Sequence, residues 1–141
     1  MVTTAVIIDT GPLVALTHER DQYHRWAIQQ SAQLTAPFLT CEAVLSEAWF
    51  LLRSLPKAHA KMLRLLERGL IQVSFNSPAE INALIELMRR YASMPMSVAD
   101  ACLVRMSEVS SDCVIFTTDS DFNVYRRHGN QIIPVIIPPT V

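Results

Sequence analysis

Much of what would mark a secreted, membrane-spanning or nucleic-acid-coating protein is missing from this sequence. Its 141 residues include only three cysteines, at positions 41, 102 and 113, widely spaced and without a Cys-x-x-Cys pair. An odd, scattered set of this kind argues against a disulfide framework or a structural zinc site and fits a reducing compartment. No histidine pair at metal-ligand spacing points to zinc either, since His18 and His24 are six residues apart. The most apolar stretch near the end, Ile132 to Ile137, is too short to span a bilayer and contains Pro134. The opening run Ala5 to Ile8 is cut off by Asp9, so the start has no basic region and apolar core of a signal peptide. Repeats, low-complexity segments and linkers are absent. So is any basic excess: 12 Lys and Arg face 13 Asp and Glu, for a formal net charge of -1. That balance weighs mildly against a dedicated nucleic-acid binder, although a carboxylate-rich site would itself cancel nearby basic charge. The expectation is a soluble, cytoplasmic chain with no membrane segment. Hydrophobic residues make up 50% and charged residues 18%, which suits a packed core rather than disorder. The length suits one domain over residues 1–141.

What is present is an alternation of short apolar runs and helical patterns. Val6-Ile7-Ile8 is a β-branched run stopping at Asp9-Thr10-Gly11-Pro12, which predicts a buried strand, a turn and a short helix through Leu13 to Leu16 with Pro12 in its first turn. Asp21 is placed to cap a helix over 22–30, and 33–36 is a weak strand candidate before Pro37. A helix is expected from a Thr40 N-cap to about Ser54, and a further one over 57–68 ending at Gly69. The pattern continues with a strand over 71–75, a helix from Ser77-Pro78 to Tyr91, and a helix capped by Ser97 to about Ser110. Cys113 to Phe116 predicts another short strand, and 131–137 the last. Strands alternating with helices imply an α/β fold with a mostly parallel sheet covered on both faces. Ligands in such sheets bind beyond the carboxyl ends of the strands. Asp9 and Asp119 are each the first charged residue after an apolar strand, and so belong on that rim.

Two further acids interrupt apolar patterns. Glu47 shares a helical stripe with Ala43, Val44 and Leu51, and Asp100 one with Met96, Leu103 and Val104. An isolated buried carboxylate is strongly unfavourable unless it is paired or binds a metal, and neither helix offers a basic partner three or four residues away on that side. A hard divalent cation, Mg²⁺ or Mn²⁺, would satisfy an oxygen-only set of this kind. Each residue has a bland account when taken alone. Asp9 can shape a turn, Ser97-x-x-Asp100 matches a capping box, Glu47 can face solvent at the stripe's edge, and Asp119 or Asp121 can cap the turn before Phe122. Their joint occurrence is the signal.

With these residues in hand, the sequence resembles the PIN-domain family, of the VapC-like kind. The resemblance rests on Ile7 to Ala15, Arg20 to His24, Ser46-Glu47-Ala48, Met96 to Ala101 and Phe116 to Phe122, in the family's order and covering essentially the whole chain. It implies a three-layer α/β/α fold and a Mg²⁺- or Mn²⁺-dependent endoribonuclease. Asp9, Glu47, Asp100 and Asp119 match the family's acidic positions. Thr117 matches its Thr-x-Asp hydroxyl, and Asp121 is an accessory metal-ligand candidate. Many relatives are homodimeric toxins of toxin–antitoxin pairs, inhibited by a small antitoxin protein; others process RNA without one. A catalytically silent scaffold binding RNA or protein is the non-enzymatic alternative. A receiver-type domain and a haloacid-dehalogenase-type phosphatase both fail, because the first strand ends in a single Asp, no Asp-x-Asp follows it, and no Lys follows Lys61.

Lys57, Lys61, Arg64 and Arg68 form a basic stripe at intervals of four, three and four. It reads either as an RNA-backbone contact or as a solvated face opposite Met62, Leu65 and Leu66. Arg126-Arg127-His128 is either a second phosphate contact or a solvated loop.

Overall fold

Three consecutive β-branched side chains, Val6, Ile7 and Ile8, make the first strand, β1 (Ala5–Ile8), and bury almost completely. β1 is central to the computed structural model, which describes residues 4–139. It pairs on one side with β2 (Phe38–Thr40) and on the other with β4 (Cys113–Phe116), both parallel. β3 (Ile71–Val73) extends the sheet beyond β2, and β7 (Val135–Ile136) beyond β4, giving the order β3-β2-β1-β4-β7. All four pairings in this sheet are parallel, as the alternating pattern implies.

Six helices connect the strands: α1 (Thr10–Thr17), α2 (His24–Gln33), α3 (Glu42–Leu51), α4 (Pro56–Glu67), α5 (Ile81–Arg90) and α6 (Val98–Val109). Right-handed crossovers between parallel strands put α1 to α4 on one face and α5 with α6 on the other. The packing agrees, with α1 against α2, α3 and α4, and α5 against α6. The result is the expected three-layer α/β/α arrangement. Phe116 marks its centre, fully buried with its ring 5.3 Å from Trp26 and 6.1 Å from Phe38. All three cysteines are free and buried in the core.

Several boundaries differ from the sequence expectation. The strand sought over 33–36 lies instead at Phe38–Thr40, because Gln33 completes α2 and the alternation that buries is Phe38 and Thr40. Thr40 is therefore a strand residue rather than an N-cap, and its hydroxyl donates to the Ile8 carbonyl at 2.9 Å. Asp21 does not cap α2; its Oδ1 accepts from the Tyr23 amide at 2.8 Å in a turn that precedes the helix. The strand expected over 131–137 is split at Pro134, which has no amide to donate. One part, β6 (Gln131–Ile132), pairs antiparallel with β5 (Arg126–Arg127), and the other is β7. Among the described residues no helix is long and apolar enough to cross a membrane.

Truncating Phe116 removes the ring that packs β4 against Trp26 of α2 and Phe38 of β2. Phe116→Ala is expected to cost about 3–5 kcal/mol, read as a lower urea midpoint at an unchanged m-value. A loss of under about 1 kcal/mol would show that this ring is not central to the core.

Candidate functional site

Strand order reverses at the β1–β4 pair, with β2 and β3 to one side and β7 to the other. A reversal of this kind opens a crevice at the carboxyl ends of the two strands, and the acids predicted from the sequence converge there. Asp9 leaves β1 as the N-cap of α1, where the positive end of the helix dipole favours a carboxylate. Its Oδ1 accepts from the Thr10 amide at 2.7 Å and its Oδ2 from the Thr117 hydroxyl at 2.7 Å. Thr117 is completely buried at the end of β4. Its Oγ1 accepts in turn from the Asp119 amide at 2.9 Å, and Asp119 Oδ1 accepts from the Asp121 amide at 2.9 Å. One hydrogen-bonded chain thus ties the end of β1 to the 3-10 turn over Ser120–Asn123.

Gly11 permits the approach. A Cβ at that position would overlap the Thr118 hydroxyl, so only glycine lets the first turn of α1 lie against the segment that carries Thr117 and Asp119.

Asp100 enters from α6. The capping box expected from Ser97-x-x-Asp100 forms, with the Asp100 amide donating to Ser97 Oγ at 3.0 Å and the Ser97 amide to Asp100 Oδ2 at 3.1 Å. Capping and a site role coexist here, because the same Oδ2 also lies 3.3 Å from the Tyr125 hydroxyl, which is equally close to the Pro95 carbonyl. Tyr125 is fully buried, and its hydroxyl pKa is raised, first by that burial and next by the Asp100 charge. Sequence reasoning missed this residue. It sits in no periodic element, and its link to Asp100 spans 25 positions.

Glu47 departs from expectation. The buried face of α3 is carried by Val44 and Ala48, and Glu47 is exposed. It reaches the site through Thr10, whose hydroxyl donates to Glu47 Oε2 at 3.2 Å. Arg126 and Arg127 are each held by backbone carbonyls. Arg126 Nη1 donates to the carbonyls of Asn123, Val124 and Tyr125, and Arg127 Nη1 to those of Ser107 and Ser111. Arg126 thus braces its own turn, and Arg127 ties β5 to the end of α6.

The acids strain one another electrostatically. Burial raises the Asp9 pKa from 3.8 to about 6; the Thr117 and Thr10 hydrogen bonds oppose the rise, and the charges of Asp100 and Asp119 add to it. Asp100 is also raised, first by burial and further by Asp119, against the lowering effect of the Ser97 donors. No arginine or lysine neutralises the group: the ion pairs among the described residues are Lys61 with Glu19, and Arg105 with Glu80 and Glu108. Nor do any three Asp, Glu, His or Cys side chains among the described residues stand close enough to form a ready-made metal cluster. The chemistry of the donor set, oxygen-only and without a neutralising cation, is nevertheless of the kind a hard cation takes.

No protein-family model matches the chain, and no curated protein does. Four solved chains match it. One is the crystal structure of Mycobacterium tuberculosis VapC20, described as a sarcin-ricin loop cleaving toxin, with a TM-score of 0.73 and 21% identity over 85% of this chain and 94% of that one. The chain has the fold of that VapC toxin, a PIN-like α/β/α arrangement.

Two outcomes follow from the geometry. With its folded pKa above its unfolded one, Asp9 keeps a proton in the native state that the unfolded chain has already released. Its contribution therefore weakens stability as pH rises from about 4 through about 6, by on the order of 3 kcal/mol in metal-free protein. Asp9→Asn should remove that slope, gaining on the wild type at neutral pH relative to acid pH in paired melting curves. Parallel pH profiles for the two proteins would contradict the assignment. Gly11→Ala should lower stability by about 1–3 kcal/mol through the Thr118 clash, and an unaltered melting temperature would show that the loop yields freely.

Proposed function

We propose that this chain is a metal-dependent endoribonuclease that hydrolyses RNA phosphodiester bonds, acting as the toxin of a toxin–antitoxin pair. The observation that carries the reading is the convergence of Asp9, Asp100 and Asp119 at the switch point of a PIN-like sheet, with Asp9 buried and no cation of the chain's own beside it. The sequence resemblance and the VapC fold support the same reading, fold alone being compatible with other activities. Asp9, Asp100 and Asp119, with Glu47 and Asp121 in support, would hold Mg²⁺ or Mn²⁺. When bound there, such an ion activates water and neutralises charge on the phosphate and on the leaving oxygen.

The chain's own residues supply orientation. Thr117 and the Thr10 amide hold both Asp9 oxygens from the protein side, so the carboxylate cannot rotate away from the crevice. The Ser97 amide and the Tyr125 hydroxyl both hold Asp100 by Oδ2, which leaves its Oδ1 without a protein donor among the described residues. Asp119 is the fourth acid of choice over Asp121, because its charge acts on both Asp9 and Asp100. Thr10 couples Glu47 to the group without burying it. The inhibitory partner would be a small antitoxin protein, the active form a homodimer and the location the cytoplasm.

Cleavage of a mixed pool of structured and single-stranded RNA should require Mg²⁺ or Mn²⁺ and stop with EDTA. Asp9→Asn and Asp100→Asn should each lower the rate at least about a hundredfold while the far-ultraviolet spectrum stays native. Cleavage surviving in either variant, or in EDTA, overturns the mechanism. Metal binding to an inactive wild type would favour the silent scaffold.

A further inference from the structure

A second site lies at the other end of α1, about 12 Å along the helix from Asp9. A cavity of about 660 Å³ opens there between the end of α1, the segment His18 to Arg20, and the stretch from Leu55 to Arg64 at the start of α4. Its size lies within the range of roughly 300–1,000 Å³ common to ligand sites. Four of the chain's twelve Lys and Arg side chains line it, namely Arg20, Lys57, Lys61 and Arg64, against one carboxylate, Glu19. Glu19 approaches Lys61 at 3.8 Å, but its side chain is 79% exposed, so the pair screens the cavity weakly. Arg68, the last member of the basic stripe, does not line it. A chain of net charge -1 that gathers its cations this way has built a local anion site on an otherwise balanced surface.

We propose that this cavity is an exosite for the RNA backbone, holding substrate phosphates at a distance from the acids that cut. The proposal rests on the ribonuclease reading. Converging carboxylates repel a polyanion, and the charge of the whole chain offers no compensating attraction, so affinity for RNA must come from a concentrated cationic surface. The lining also sets the mode of contact. No Phe, Tyr or Trp lines the cavity, and His18 is its one ring among four cations, so contacts to phosphate outweigh stacking on bases. Flexible cationic side chains over a floor of Leu55, Pro56 and Ala58 suit phosphates of any sequence. The site adds grip and register, and leaves sequence choice to the crevice. Its position at the carboxyl end of α1 also brings cations to the negative end of that helix, which separates the two charge signs along one element.

The test is binding of a fluorescein-labelled stem–loop RNA in the Asp100→Asn background, followed by anisotropy across a salt series. The triple variant Lys57→Gln, Lys61→Gln, Arg64→Gln should weaken binding on the order of tenfold and reduce the slope of log K against log salt by about 2. Arg68→Gln should change neither. If the triple variant melts early, the exposed pair Lys57→Gln and Arg64→Gln carries the same test. Unchanged affinity and slope, or an equal loss from Arg68→Gln, would overturn the proposal, as would absence of RNA binding. A polyglutamate peptide that binds the cavity more tightly than RNA would assign it to an acidic protein partner instead. The two readings fail separately. Metal-dependent cleavage with unaltered binding removes the exosite alone, whereas RNA binding lost in the triple variant without any cleavage by the wild type removes the nuclease alone.

Discussion

The hydrogen bond from Thr117 to Asp9 joins the two central strands at the point where their polypeptides diverge, and the rest of the site is arranged around it. It requires a threonine buried at the end of β4 and a carboxylate buried at the end of β1. Once Asp9 is buried, its second oxygen needs a donor, which the first amide of α1 provides; helix initiation and orientation of the acid are then one event. The same threonine accepts from the Asp119 amide, and so brings a second acid toward the first. Gly11 is the steric condition for this close approach, since a Cβ there would overlap the Thr118 side chain.

An arrangement that buries one acid beside two half-buried ones is unfavourable in isolation, because desolvation and like-charge repulsion act in the same direction. The raised pKa of Asp9 is the visible consequence. Strain of this kind persists only where the surrounding fold over-determines the geometry, and it gathers where a ligand relieves it. Here two supports are local, a capping box for Asp100 and a helix N-terminus for Asp9, and one is long-range, a fully buried tyrosine behind Asp100. At the far end of α1 the balance inverts, with four cations lining one cavity. A short helix therefore separates a group of carboxylates from a group of cations.

Legibility of these features in the sequence tracked the distance over which each is decided. Asp9 and Asp119 could be read as rim residues because an apolar run followed by a charge marks a strand end, whatever the strand pairs with. Asp100 was visible as the third residue after Ser97, and its capping box formed. Glu47 was placed on a buried stripe, yet α3 buries only the narrower face of Val44 and Ala48; stripe width is set by what packs on a helix, and the pattern does not contain that. The strand sought over 33–36 belongs at Phe38–Thr40, and the last strand divides at Pro134. In the first case the burial of Phe38 and Thr40 against neighbouring strands decides the position; in the second a single proline without an amide divides the run.

The sequence by itself determined the alternation of short strands and helices, the parallel sheet this implies, the acids at strand and helix ends, and the basic stripe on α4. These follow from periodicity, capping and turn chemistry, which act within a few residues. Tertiary structure alone decided that Tyr125 stands behind Asp100, that Thr10 links Glu47 to Asp9, that Arg127 holds the carbonyls of Ser107 and Ser111, and that Arg20 joins Lys57, Lys61 and Arg64 around one cavity while Arg68 stays outside. Each of these joins residues distant in the chain or chooses among neighbours of equal charge. Such choices depend on how whole elements pack, and no local pattern encodes them.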